Sequence, residues 1–141
     1  VKLCVYLAGP MTAYPLLNHP AFDDATRRLR DAGYGVVSPA EIDRAIGIQA
    51  NAEDPYAGMH VDPGEIMRDD LRAVLDADAI VLLPGWEGSK GARLERIVAE
   101  SSGRRVFLYL FHPGVDRTPI LQEVTGRWEH EAIWRVPAKT V

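Results

Sequence analysis

A short apolar run stopped by glycine or proline, then a stretch of helical spacing, recurs along this chain and limits what it can fold into. Residues 2–8 (KLCVYLA) are rich in β-branched and aromatic types and end at Gly9-Pro10. Tyr34-Gly35-Val36-Val37 ends at Ser38-Pro39, and Ala79-Ile80-Val81-Leu82-Leu83 ends at Pro84-Gly85. Arg105-Val106-Phe107-Leu108-Tyr109-Leu110 is a fourth run. Runs this short and this apolar suit strands buried on both faces of a sheet.

The intervening stretches read as helices. Ala21, Phe22, Ala25, Leu29 and Ala32 recur at helical spacing behind Asn18, a candidate cap, and stop at Gly33. Asp62-Pro63-Gly64-Glu65 is a helix start, with Asp at the cap, Pro first and Glu three residues after the cap, and the helix runs to about Asp76. Gly91 opens another, with Leu94, Ile97 and Val98 on one face and a stop at Ser101-Ser102-Gly103. Ile120–Thr125 reads as a short helix and Ala132–Val136 as a final strand. Residues 40–61, with Gly47, Asn51, Pro55 and Gly58, show only a weak helical turn; such a connection is a surface loop or a lid.

Strands alternating with helices predict an α/β fold. The expectation is a single domain over residues 1–141, a Rossmann-like or flavodoxin-like three-layer sandwich with a mainly parallel sheet of four to five strands. Ligands of such sheets bind beyond the carboxyl ends of the strands. That rule selects three loops: 9–15, 38–41 and 84–91.

Composition narrows the partners. A formal net charge of -4 offers no electrostatic case for a nucleic-acid polymer or an anionic membrane. A helix start can still hold a phosphate through backbone N–H groups. The apolar runs are too short to cross a bilayer, and the N-terminal run is too short for a signal peptide. Cys4 sits alone in an apolar run and reads as a core residue, so the cytoplasm is the default expectation. His19, His60, His112 and His130 show no metal spacing with one another or with Cys4; neither a metal nor a cofactor is expected. The P-loop, G-x-G-x-x-G and G-x-S-x-G patterns are absent, which removes the sequence support for ATP hydrolysis, dinucleotide binding and α/β-hydrolase chemistry.

Residues 84–91 hold three glycines and lead into a helix whose unpaired N–H groups point at the loop. Glu95 falls in the first turn or so of that helix. A carboxylate there is stabilised and kept ionised, as a nucleophile requires, although a glutamate in that place also serves simply to complement the dipole. Asp70 shares a helical row with Met67, Leu71 and Val74, whereas Asp69 points the other way and reads as solvated. A carboxylate bordering an apolar stripe needs a partner or a use. Tyr6 either buries its ring or brings its hydroxyl to the mouth of the first strand, Trp86 either stacks on a planar base or covers core, and Asp78 reads as a cap of the helix-to-strand turn.

These residues resemble a family. Tyr6-Leu7-Ala8-Gly9-Pro10-Met11-Thr12, Pro20-Ala21-Phe22, Val37-Ser38-Pro39-Ala40, Arg68-Asp69-Asp70-Leu71, Ala77 through Trp86 and Ser89 through Glu95 are similar, in order, to a domain of unknown function common in bacteria and phages. That domain belongs to the nucleoside 2-deoxyribosyltransferase-like superfamily. The resemblance covers roughly residues 3–110 and leaves the C-terminal part, 111–141, unmatched.

The resemblance implies an N-glycosidase or N-(deoxy)ribosyltransferase acting on a nucleoside or nucleoside 5′-monophosphate through a covalent glycosyl-glutamate. It places the nucleophile at Glu95, four residues after Gly91. It places Asp70 at the sugar or in proton transfer, and Tyr6 as the hydroxyl that orients the nucleophile. Substrate-binding positions implied are Gly9, Pro10, Met11, Trp86, Ser89 and Gly91. Ser89 matches the phosphate-binding serine of the 2-deoxynucleoside 5′-phosphate N-hydrolases, where the transferases have an aspartate nearby, which tilts the expectation toward hydrolysis. Arg93-Leu94 departs from the residues that precede the nucleophile in some relatives. A homodimer or higher homo-oligomer is implied. Two alternatives stay open: a nucleotide-sensing module without turnover, and a phosphoribohydrolase of the lysine-decarboxylase-like type, whose Pro-Gly-Gly signature fails here at Trp86.

Overall fold

The structure, a computed structural model, describes residues 2–60, 62–110 and 119–124. Among the described residues, five strands form one sheet: β1 (Cys4–Ala8), β2 (Gly35–Val37), β3 (Ala79–Leu82), β4 (Arg105–Leu110) and β5 (Ile120–Glu123). Their spatial order is β2-β1-β3-β4-β5. The first four are parallel, and β5 runs antiparallel to β4. The expected α/β class, with its mainly parallel sheet, is what the chain adopts.

The helices are α1 (His19–Asp31), α2 (Pro39–Ala45), α3 (Pro63–Asp76) and α4 (Lys90–Ser101). Alternation along the strands divides the core. Val5, Leu7, Ala79, Val81 and Leu83 pack with Phe22, Ala25 and Leu29 of α1 on one face. Tyr6, Ala8, Ile80 and Leu82 pack with Val74 of α3 and with Ala92 and Ala99 of α4 on the other. The period of two in each strand therefore decides which side chains meet which helix.

Several expectations need correction. Ile120–Glu123 is an edge strand rather than a helix: Tyr109 pairs with Leu121 and Leu110 with Ile120, and Arg105 Nε donates to Glu123 Oε1 at 2.7 Å. Pairing with a formed strand overrides local preference. Residues 39–45, given only a weak turn, form α2. Pro39 presets its first position, but only Pro39 and Ala40 are buried, so no apolar stripe marks it. Asn18 does not cap α1 through its side chain; its Nδ2 donates to Pro10 O at 2.8 Å. Asp78 caps no helix among the described residues; its Oδ2 accepts from the Cys4 N–H at 2.9 Å and so ties β3 to β1. Cys4 is only half-buried. Asp62 does cap α3, accepting from the Gly64 N–H at 3.0 Å. His112, His130 and the strand expected at 132–136 lie outside the described residues.

Candidate active site

The order of the sheet reverses between β1 and β3, and in open α/β sheets ligands occupy the crevice at such a switch point. The turn after β1 and the glycine loop after β3 lie side by side there. A Cβ on Gly9 would stand 3.0 Å from Leu83 Cβ, so close passage of the two chain segments requires glycine. Gly85 has φ +89°, and a Cβ there would meet the Tyr14 hydroxyl at 2.9 Å. Across the loop, Arg93 Nη1 donates to Glu87 O at 2.7 Å.

Two hollows open at this switch point. The larger, about 540 Å³, has Thr12 and Gly91 at one end, Asp70 and Glu95 on its wall, and Ile66, Met67, Leu71, Leu94 and Tyr56 as apolar lining. The smaller, about 330 Å³, is walled by Pro10, Tyr14, Gly85, Ser89 and Lys90 and shares Thr12 and Gly91 with the larger. Ser89 is extended at the cap of α4, and its Oγ accepts from the Ala92 N–H at 3.2 Å, leaving the hydroxyl proton for a ligand.

Three of the residues singled out in the sequence converge here. Glu95 is buried in the second turn of α4, which starts at Lys90, one residue before the expected Gly91. Removal from water, with the nearby Asp70 charge adding to it, pushes its carboxyl up to about 8, while the Tyr6 hydroxyl opposes the shift. This corrects the expectation that the helix start keeps it ionised: six residues in, desolvation outweighs the dipole, which fades within the first turn. Tyr6 points to the α3–α4 side of the sheet and is fully buried. Burial first, then the Glu95 and Asp70 carboxylates, hold its phenol well above the ordinary range. Its hydroxyl lies near enough to Glu95 for each to shift the other, yet no hydrogen bond of regular geometry closes on it. Asp70, on the cleft side of α3, is raised to about 6 by burial and then by Asp43 and Asp69, and Asp69 itself is exposed.

The substrate-binding positions divide. Pro10, Ser89 and Gly91 line the hollows. Gly9 is buried beneath the turn, Met11 packs on the α1-side core, and Thr12 takes the outward place. Trp86 is not on the wall of either hollow. It packs on the α3–α4-side core, and Arg96 stands over its ring at 4.8 Å. Two groups near the site carry no sequence signal: Tyr56, from the irregular connection, and Asp43, at the end of a helix without a stripe. Among the described residues no three His, Cys, Asp or Glu side chains gather in a group able to hold a metal ion, and no helix is long and apolar enough to cross a membrane.

The fold is shared with solved structures. A 2-desoxiribosyltransferase from Leishmania mexicana superposes with a TM-score of 0.55 at 13% identity, over 77% of this chain and 64% of that one. The solution structure of BlsM gives 0.56 at 22%, over 76% and 64%. The 2-deoxyribosyltransferase of the psychrotolerant bacterium Bacillus psychrosaccharolyticus gives 0.53 at 21%, over 80% and 76%. The part of this chain that superposes thus spans 64% of the length of the first two. No curated protein matches the chain significantly in sequence. Residues 3–108, most of the chain, match one family throughout, and the chain belongs to that family, described as Domain of unknown function (DUF4406).

Proposed function

We propose that this chain breaks the N-glycosidic bond of a nucleoside or nucleoside 5′-monophosphate, with Glu95 as nucleophile. The observation that carries the reading is the convergence of Glu95 and Asp70 on one wall of the larger hollow, with the Tyr6 hydroxyl buried beside Glu95. A Glu95 oxygen attacks C1′, and the electrons of the C1′–N bond leave with the base, which takes the proton of the Asp70 carboxyl. The glycosyl ester divides one hard displacement into two easier ones. In the second, Asp70 removes a proton from water as its oxygen attacks C1′, and Glu95 departs as carboxylate. A second base in place of water completes transfer instead.

The apolar lining around Tyr56, Ile66 and Met67 suits the base. The smaller hollow suits a 5′-phosphate, with the Ser89 hydroxyl, Lys90 and the first N–H groups of α4 as donors. Ser89 favours hydrolysis of a monophosphate, as in the 2-deoxynucleoside 5′-phosphate N-hydrolases. Exposed Met67 and Tyr56 beside the hollow suit coverage by a second copy, so a homodimer or larger assembly belongs to the same reading.

Incubation with a panel of nucleosides and 5′-monophosphates, following free base by chromatography, tests the proposal. Release of base from a monophosphate, lost in Glu95→Gln, is the expected result. Addition of a second base separates hydrolysis from transfer. Tight nucleotide binding with no release by the intact chain overturns the enzymatic reading in favour of a sensing module.

A further inference from the structure

Pro10 and Asn18 form the neck of a surface loop that leaves β1 and returns at α1. Both ends are fixed in the core. A Cβ on Gly9 would stand 3.0 Å from Leu83 Cβ and 3.4 Å from Phe22 Cζ of α1. The Asn18 side chain closes the neck, its Nδ2 donating to Pro10 O at 2.8 Å. Compact surface loops whose ends lie close together are frequently functional. Between the ends the backbone is unusual. Ala13 has φ +67°, and Leu16, Leu17 and Asn18 follow one another at +54°, +51° and +57°. A side chain makes this region unfavourable, and L-residues visit it singly rather than in runs. Such a run persists only where its surroundings fix it. The Asn18 amide ties the far end of the run back to the near end.

The same loop carries part of the wall of the smaller hollow. Pro10, Thr12 and Tyr14 line it together with Gly85, Ser89 and Lys90, whereas Asn18 lines neither hollow of the site. The Tyr14 hydroxyl and Pro10 Cγ come so near Gly85 that a Cβ there would stand 2.9 Å and 3.1 Å from them. We propose that Asn18 is a positioning residue for the smaller hollow: by closing the loop at Pro10 it holds Thr12 and Tyr14 against the glycine loop after β3. Two demands meet at this position. The backbone is left-handed, which Gly, Asn and Asp tolerate best. The side chain must also donate to a carbonyl, and Gly has no side chain while an ionised Asp only accepts. Asn meets both. It precedes α1 without capping it through its side chain, so the neck is the use the amide has. The inference rests on the proposed reading for its ligand, a 5′-monophosphate, but its physical content is the course of the loop.

NOE spectra of the full chain read that course directly, through contacts from the Pro10 and Tyr14 side chains to the Gly85 α-protons. Asn18→Gly keeps the left-handed backbone without the donor, and Asn18→Asp keeps the shape with an acceptor in its place. Both are expected to lose these contacts. On accepted substrates, the ratio of KM for a 5′-monophosphate to KM for its nucleoside is expected to rise about fivefold in each, the worth of one hydrogen bond. A role confined to stability lowers the unfolding midpoint and leaves both the contacts and that ratio in place, which overturns the proposal. If neither variant folds, the parent protein decides. Exchange of the Asn18 side-chain amide protons slower than that of the exposed Asn51 supports the closed neck, and equal exchange overturns it. If the intact chain releases base from no substrate, the glycosidic reading fails alone, because the NOE contacts still judge the loop.

Discussion

The Tyr6 hydroxyl on β1 and the Glu95 carboxyl on α4 meet in the seam between sheet and helix, where Tyr6 has no exposed surface. The phenol keeps its proton because burial and two neighbouring carboxylates resist its ionisation. It is thereby a permanent donor toward the charged form of Glu95, the form that attacks. Tyr6→Phe removes that donor. Base release is expected to fall about tenfold or more, the worth of a hydrogen bond to a charged group. Stability, read by urea unfolding, is expected to hold or to rise slightly, since the hydroxyl has no regular partner in the free protein.

Glu95 itself links activity to stability. Its carboxyl moves from an ordinary 4.5 to about 8 on folding, so the folded chain binds that proton more tightly. The contribution is fully present below pH 4.5 and is lost as pH rises through 8, at a cost on the order of a few kcal/mol. Glu95→Gln carries no such proton. Its thermal midpoint is expected to match the parent in acid and to exceed it increasingly through pH 8, while base release drops to background.

The two site carboxyls also fix the shape of the pH profile. Below about 6 both are protonated and no nucleophile exists; above about 8 both are ionised and the base has no acid. A bell in kcat/KM with limbs near these values is expected. Between the limbs the pair holds one proton, mostly on Glu95, so about one molecule in a hundred carries the productive arrangement. Asp70→Asn should abolish the upper limb, so that base release rises with pH through the Glu95 titration and then levels off, and should slow release, most for substrates whose base leaves poorly without protonation.

The sheet was legible because three of its four parallel strands are apolar runs closed by a glycine or proline, and β4 is an apolar run behind Arg105. β5 was not: Ile120–Glu123 has no alternation of its own, and its conformation comes from β4 beside it. The cleft was legible where a side chain breaks a helical stripe, as Asp70 does beside Leu71 and Val74. The depth of Glu95 was not, because dipole reasoning from sequence takes the helix start as wet, and packing against Tyr6 makes the second turn dry. Asp43 and His19 lie 24 residues apart on two elements, and no spacing rule connects them. Trp86 had two readings open to it, and its partly buried ring packs against the core with Arg96 at 4.8 Å, a neighbour ten residues on that no spacing rule singles out.

Ser89 has two tasks that substitution can separate. Its Oγ caps α4, and its side chain lines the smaller hollow. Ser89→Ala is expected to lose about 1 kcal/mol of stability and to raise KM for 5′-monophosphates while leaving nucleosides little changed. Ser89→Asp keeps the cap and places a negative charge where the phosphate would sit. It should remain stable and reverse the preference toward unphosphorylated substrates. Equal effects on both substrate classes would move the phosphate out of this hollow.

The smaller hollow also depends on one backbone angle. Gly85 sits at φ +89°, and an added Cβ would stand 2.9 Å from the Tyr14 hydroxyl and 3.1 Å from Pro10 Cγ. Gly85→Ala therefore combines a left-handed backbone with a collision, together about 2–4 kcal/mol. Gly88, three residues on, has no positive φ and nothing within 4 Å of its Cβ position. Gly88→Ala should stay within about 0.5 kcal/mol of the parent. Urea midpoints of the two variants make the comparison. Since Tyr14 and Pro10 are the atoms displaced and both wall the smaller hollow, Gly85→Ala should weaken 5′-monophosphate binding more than nucleoside binding. Equal stability of the two variants would mean that the loop after β3 relaxes freely, and a loop that loose does not hold a phosphate in place.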